Sequence, residues 1–509
     1  MSAGVYRDQV LEVEPTGIEY VRPEQRHGNA RQLFGLWFSA NAEIATWMVG
    51  LLTVALYGTS LRGAILGIVA GNLIGFALLG VLATFGPRYG VPQMVASRLA
   101  FGRYGNALPS TLSFLAGVGW FAINTVFGSY ALQTITGWPY ALSLGLMLFL
   151  QVVLAVYGYN LIHWFEKVSA ALLAAGFGLL AYFTIGHAHW NASFNPHAPM
   201  AAGGEVGGII LATALGFSYA TGWVPCASDY SRYLPERTNA AAVWAYSFLG
   251  CVLPCIALEI LGAATVSAVP HDLSSASPTA AISFLLGSGI VAKLVLLTVA
   301  LGTLTANCMN LYSGAMAALV VKFPGDSLRA PLVTGFIFAA LSASVLAMAH
   351  SSSTAIVTGA LAVGAIVTVI GHVAFARWRA AVIVGILGAV LASGGGHPDQ
   401  TAKLYTNFLL LLSYWASPWA AVVFVDWLGR RKTPLGAWDD DALPLRAGTF
   451  AWIAGLAASV PFWNQAWFTG PVAAACPQWG DLSYYVGFAV AGLYTLMASR
   501  GDRKVSKTC

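Results

Sequence analysis

Long apolar runs alternate with short polar connectors along almost the whole chain. Runs long enough, or nearly so, to cross a bilayer as helices fall at 33–57, 62–83, 107–133, 138–157, 167–187, 207–227, 242–268 and 283–320. Six more follow at 331–349, 353–374, 380–395, 404–428, 449–463 and 482–498. The pattern predicts an all-α polytopic membrane protein. Several of the fourteen runs are short, so 12 to 14 transmembrane spans are expected.

Composition agrees with the pattern. Hydrophobic residues make up 58% of the 509 residues and charged residues only 9%, with a mean hydropathy of +0.71. A soluble domain carries about a quarter charged residues, so a water-soluble fold is excluded. The first 30 residues are polar, with Arg7, Arg22 and Arg26 and no apolar core, so no cleavable signal is expected.

Charge position says more than the net charge of +5. With the N-terminus inside, the cytoplasmic connectors hold 22 of the 25 Lys and Arg residues, and only Arg62, Lys293 and Lys403 fall toward the other side. The connectors 188–206, 269–282 and 464–481 contain none. This asymmetry predicts an inner (plasma) membrane protein with both termini cytoplasmic. The basic residues are scattered over many short loops, which argues against a nucleic-acid surface. The six cysteines and the histidines show no metal-ligand spacing, and no disulfide is expected.

Three spans carry polar groups in unusual density. Span 1 places Ser39, Asn41, Glu43 and Thr46 within Ser39–Trp47. Glu43 is the only acid deep in the first five runs; such a carboxyl is protonated, paired with a neighbour, or part of an ion path. In span 3, Trp120 and Asn124 stand at i,i+4 on one helix face, a flat ring beside an amide. That pairing suits a planar, hydrogen-bonding heterocycle.

Span 6 reads Gly222-Trp-Val-Pro225, and proline removes a backbone donor, so the run is either kinked or broken. A break in the bilayer exposes backbone groups that must line a cavity or pack in protein, as they do at transporter binding sites. Asp229 and Arg232 follow at i,i+3, a spacing that suits a cytoplasmic gate or a structural pair. Span 8 holds Thr303, Thr305, Asn307 and Asn310, with the two amides at i,i+3. They serve either as interhelical glue or as part of a site. Gly67, Gly71 and Gly75 read as small-residue helix packing. No nucleophile elbow, phosphate loop, HExxH or paired-carboxylate motif occurs, and the loops are too short for a catalytic domain, so an enzyme is not expected.

Several of these segments resemble the nucleobase:cation symporter-1 family, in its purine/cytosine permease branch. They are Trp37-Phe-Ser-Ala-Asn41, the loop Gly86–Gly102, Gly119-Trp-Phe-Ala-Ile-Asn124, Ala227–Pro235, Asn307–Ser313 and Asn407–Trp419. The resemblance covers roughly residues 30–430. It implies a LeuT-like fold, a 5+5 inverted repeat with accessory helices, and a substrate stacked between aromatics of spans 3 and 6. Carried onto this chain, the substrate-binding positions are Trp120, Asn124, Trp223, Asn310 and Asn307, with Ser39 and Asn41 lining the site from span 1. The implied organisation is a cytoplasmic segment 1–32, a core 33–428 with repeats 33–187 and 207–428, an accessory region 429–498 and a cytoplasmic tail 499–509. Because the second half outruns the first, 331–374 reads as an inserted hairpin.

Sodium-coupled members of that family resemble one another in pairing span 1 carbonyls with two adjacent span 8 hydroxyls. Here Thr305 supplies one, but Leu304 stands beside it. A hard cation wants several oxygens, so the expected co-transported ion is a proton, with Glu43 and Thr305 as the coupling residues and no further cofactor. The partners expected are a small nucleobase and the lipid bilayer. The sequence leaves open other small heterocycles as substrate, such as allantoin, a hydantoin, uracil or a thiamine- or pyridoxine-like vitamin. From another class, a channel or a membrane sensor stays open too.

Overall fold

The computed structural model describes residues 10–270, 278–323, 327–348, 352–393, 398–429, 445–465 and 467–505. Arg7, Arg430, Arg431, Lys432, Cys509 and half of the 269–282 connector lie outside the described residues, as do the side chains of Lys403, Arg500, Arg503 and Lys504.

The described chain is helical, with a single isolated bridge between Asn464 and Thr469. The first half contains α1 (Gln32–Asn41), α2 (Ile44–Ala55), α3 (Leu61–Ala83), α4 (Ala107–Thr136), α5 (Tyr140–Tyr157) and α6 (Tyr159–His187). The second contains α7 (Gly204–Trp223), α8 (Ala240–Ala268), α9 (Pro278–Leu286), α10 (Ile290–Val321), α11 (Arg329–Met348), α12 (Ser353–His372), α13 (Arg377–Ser393) and α14 (Pro398–Gly429). Two further helices, α15 (Ala447–Ser459) and α16 (Ser483–Val505), close the chain.

Helix boundaries follow local chemistry. Ser60 caps α3 by accepting from Gly63 N, and the Asn239 side chain accepts from the amides of Ala241 and Ala242 at the start of α8. Gly137, at φ +73°, supplies the left-handed residue that ends α4.

Among the described residues, nine helices are long and apolar enough to cross a membrane, and the α1–α2 pair makes a tenth. The other expected crossings fall on α11, α13, α15 and α16, which are shorter or less apolar.

Two helix groups form the bundle. In one, α7 lies along α3 while α8 packs on α1, α2 and α3. In the other, α4 and α10 share the most extensive contact, with α13 across both and against α5. Between the groups, α6 touches α1 and α10, and α14 touches α7. The α11–α12 hairpin packs on itself and reaches the rest mainly through α12 against α10.

The α3–α7 contact shows why the glycine stripe is needed: a Cβ on Gly71 would stand 2.4 Å from Thr213 O, and one on Gly75 2.4 Å from Ala220 Cβ. Only bare backbone permits helices this close.

Basic residues gather at one end of the bundle. Arg26 donates to Pro87 O at 2.5 Å, Arg98 to Val320 O at 3.3 Å and Arg377 to Ala155 O at 3.1 Å. The connectors without Lys or Arg meet elsewhere, where Asn195 N donates to Gly58 O at 2.7 Å and a Cβ on Gly203 would touch Pro477 O.

Candidate functional site

The site forms where two interrupted helices meet α4 and α10. Span 1 is broken: α1 ends at Asn41, α2 begins at Ile44, and their axes differ by 54°. The break holds neither glycine nor proline. Ala42 leaves the helical region at φ −80°, ψ 68°, and Glu43 is extended at φ −139°, ψ 168°. Freed backbone is taken up nearby, with Thr46 Oγ1 2.6 Å from both Asn41 O and the Tyr219 hydroxyl.

Span 6 stops as well. Its α-helix ends at Trp223, a 3-10 turn covers Val224–Cys226, and turns continue toward Leu234. Pro225, which has no N–H, stands at the change. The two interruptions face each other, with the Trp37 ring edge-on to Trp223 at 5.7 Å and to Tyr230 at 5.4 Å.

A cavity of about 20 Å³ lies at the span 6 break. Trp120 and Gly117 of α4, Trp223 and Pro225 of the span 6 break, Asn310 of α10 and Trp415 of α14 line it. Three of the sequence-predicted residues, Trp120, Trp223 and Asn310, are therefore brought together. Trp120 rests on Gly222, where a Cβ would approach Nε1 at 3.2 Å. Its ring edges meet Tyr219 at 5.5 Å, Tyr405 at 6.0 Å and Phe408 at 5.3 Å. Asn310 donates to Asn307 Oδ1 at 3.1 Å, leaving its own carbonyl oxygen and second N–H toward the cavity.

The remaining predicted residues stand behind this layer. Asn307 does not line the cavity, because its amide donates to Phe121 O at 2.9 Å and Thr125 Oγ1 at 3.0 Å on α4. Asn124 is buried and reaches toward the Glu43 carboxyl, yet neither of its amide atoms makes a hydrogen bond of good geometry. An unsatisfied buried amide is costly, so this pair is the clearest unmet polar demand near the cavity. Glu43 Oε1 accepts from the Tyr219 hydroxyl at 3.1 Å, and Oε2 has no hydrogen bond.

Asn41 donates to Trp37 O at 2.8 Å and accepts from Cys255, which fixes it inside the helix packing. Ser39 points away from the cavity to Glu166. Thr305 Oγ1 lies 3.0 Å from Ser39 O and 2.8 Å from Gly302 O, pinning α10 to α1.

Asp229 and Arg232 do not point at one another in a direct ion pair. The i,i+3 rule holds on a helix, and residues 227–233 are turns. Asp229 Oδ1 accepts from Gln93 N at 2.8 Å, while Arg232 reaches Glu14 at 2.5 Å with both side chains fully buried. Glu14 also accepts from the Tyr233 hydroxyl at 2.7 Å, the Tyr312 hydroxyl at 3.1 Å and Tyr159 N at 3.1 Å. The polar N-terminal segment thus threads into the basic end of the bundle, a role its sequence gave no sign of. Tyr219, Tyr405, Phe408 and Trp415 were also missed as site residues. They carry a signal in hindsight, since Tyr219 is one turn before Trp223 and the others lie in or beside the aromatic-rich stretch Asn407–Trp419.

A family described as permeases for cytosine/purines, uracil, thiamine and allantoin matches residues 20–377. The chain belongs to this permease family. Relatives match along nearly the full length. The putative purine-cytosine permease YxlA of Bacillus subtilis is 26% identical, covering 96% of this chain and 97% of its own. The purine-cytosine permease fcyB of Emericella nidulans is 25% identical, covering 94% and 87%.

Among solved structures, the permease is similar to Mhp1, a nucleobase-cation-symport-1 family transporter, in a closed conformation with bromovinylhydantoin bound. The TM-score is 0.66 with 20% identity, over 96% of each chain. The fold is accordingly LeuT-like, and the permease is a multi-pass membrane transporter of the nucleobase type with a small-molecule substrate, not an enzyme.

Proposed function

We propose that this permease imports cytosine or a purine together with a proton by alternating access, across the inner (plasma) membrane, with both termini cytoplasmic. The observation that carries the reading is the convergence of Trp120, Trp223 and Asn310 on one cavity at the span 6 break. The two indoles sandwich the base, Asn310 reads its edge, and Asn124 joins them when the site widens. Stacking serves any planar ring, whereas edge hydrogen bonds choose among rings.

At about 20 Å³ the cavity has room for a water and none for a base, so loading requires the surrounding helices to part. The α1–α2 bend and the end of α7 are the natural hinges, since neither has a continuous ladder to break. We read 33–428 as the transport core with α11–α12 as an insertion, because that hairpin packs mainly on itself and meets the bundle mainly through α12 against α10. Proton coupling is supported by Leu304 beside Thr305, where a second hydroxyl is missing, and by the buried carboxyl of Glu43 next to Asn124.

The test is uptake of labelled cytosine, adenine, uracil and allantoin in a transport-deficient host, with and without sodium and a protonophore. Saturable, protonophore-sensitive and sodium-independent accumulation of cytosine or a purine is expected. Sodium-dependent uptake, or accumulation of allantoin alone, overturns the reading.

A further inference from the structure

The start of α6 brings a second acid into the bundle interior. Glu166 is fully buried where three helices meet. Its Oε2 accepts from the Ser39 hydroxyl on α1, and its Oε1 accepts from the Cys308 thiol on α10 at 3.3 Å. Among the described residues no ion pair goes to Glu166, whereas Glu14 pairs with Arg232 and lies near Arg377. A buried carboxyl without a cation, inside a membrane bundle, is by default functional.

We propose that Glu166 binds the coupled proton, at the crossing of α1, α6 and α10; this rests on the proton-coupled reading above.

Both partners of Glu166 have a second acceptor within reach. Ser39 Oγ lies 2.9 Å from Gly35 O and 3.3 Å from Leu36 O, and Cys308 Sγ lies 3.0 Å from Thr305 O. When Glu166 is a carboxylate, the hydroxyl and thiol hydrogens both point at it. When it is an acid, its O–H donates to Ser39 Oγ, the Ser39 hydrogen turns to Gly35 O, and the thiol stays on Oε1. Every polar atom keeps a partner in both states, so a proton is gained or lost without leaving a buried group unsatisfied.

Glu259 and Glu43, the acids of the neighbouring spans, lack this arrangement. Glu259 Oε2 accepts from Asn72 at 2.8 Å while its Oε1 has no hydrogen bond, and Glu43 Oε2 has none either.

The position also links proton to substrate. Ser39 stands two residues before the end of α1, and Cys308 two residues before Asn310. The Glu166 proton therefore bears on α10, which lines the cavity through Asn310, and on α1, whose Trp37 packs against the cavity residue Trp223. Titratable groups facing Glu166 are Cys308 from α10 and Glu43 from the span 1 break, with His163 on the preceding turn of α6. The step is a proton transfer alone. An O–H bond forms on Glu166 while the outer path is open and breaks toward the inner side after the base leaves.

The test uses the full-length permease in liposomes that enclose a pH-sensitive dye, with cytosine or adenine added outside. Wild-type protein acidifies the lumen when the base is added. Glu166→Gln is expected to lose that acidification while keeping base-for-base exchange. Wild-type acidification in Glu166→Gln overturns the assignment. Failure of wild-type protein to acidify with either base overturns the proton-coupled reading itself. If Glu166→Gln proves inactive in exchange, dicyclohexylcarbodiimide on wild-type protein decides. Loss of acidification in step with an adduct on Glu166 supports the site, and loss without that adduct overturns it.

Discussion

Asn310 donates its amide N–H to Asn307 Oδ1 at 3.1 Å, and Asn307 is anchored to α4 through Phe121 O at 2.9 Å. One amide thus faces the cavity while the other holds it in place and ties α10 to α4. The two substitutions should separate. Asn310→Ala removes an edge contact worth roughly 1–3 kcal/mol, about 5- to 150-fold in affinity, and it should flatten the preference among competing bases. Asn307→Ala should weaken all bases by a similar factor. Competition of labelled cytosine uptake by a panel of bases checks both. Equal effects on selectivity would contradict the division of roles.

Gly222 leaves the floor on which Trp120 rests. In Gly222→Ala the new Cβ would approach Trp120 Nε1 at 3.2 Å and Cζ2 at 3.3 Å, so the indole must shift. Purine uptake should fall more than cytosine uptake, because the larger ring has less slack. The ratio of the two initial rates at equal membrane levels reads this. An unchanged ratio with normal uptake would mean Trp120 does not set the width of the site.

Glu14 is buried against Arg232 at 2.5 Å, and it also stands 3.6 Å from Arg377 Nε. Removing one partner of a buried pair leaves a charge uncompensated, at a cost of about 3–5 kcal/mol. Glu14→Ala should lower the melting temperature of the purified permease and open residues 10–27 to protease. Arg232→Met, which leaves the buried Glu14 carboxylate without that guanidinium, should lower the melting temperature as well. If neither melting nor proteolysis changes in Glu14→Ala, the N-terminal segment is not held by this latch.

Helix spacing governs α3 and α7. Gly71→Val places its Cβ 2.4 Å from Thr213 O, against backbone that has no rotamer to yield. Overpacking of this kind costs about 1–3 kcal/mol or more. The melting temperature should drop clearly, whereas Gly178→Val, at a position with open space, should leave it nearly unchanged.

The sequence was informative wherever a rule depends on helical spacing inside a real helix. Trp120 and Asn124 share a face of α4, Asn307 and Asn310 touch as i,i+3 neighbours, and the Gly67–Gly75 stripe marks a close helix contact. Pro225 announced the end of the span 6 helix. The break in span 1 has no such marker, since neither glycine nor proline stands at Ala42 and Glu43. Asp229 and Arg232 do not meet at i,i+3, because the helix that would carry that spacing has already ended. The fifth apolar run, 167–187, starts just past Glu166. The helix in fact continues back to Tyr159, which carries the acid inside.

The most direct measurement is binding and uptake of labelled cytosine and adenine by wild-type permease and by Trp120→Ala and Trp223→Ala, at matched membrane levels. Saturable binding and accumulation in wild-type protein, lost in both variants while thermal stability is retained, is the expected result. Undiminished uptake in either variant, or no binding of any nucleobase by wild-type protein, would contradict a nucleobase site between these two indoles.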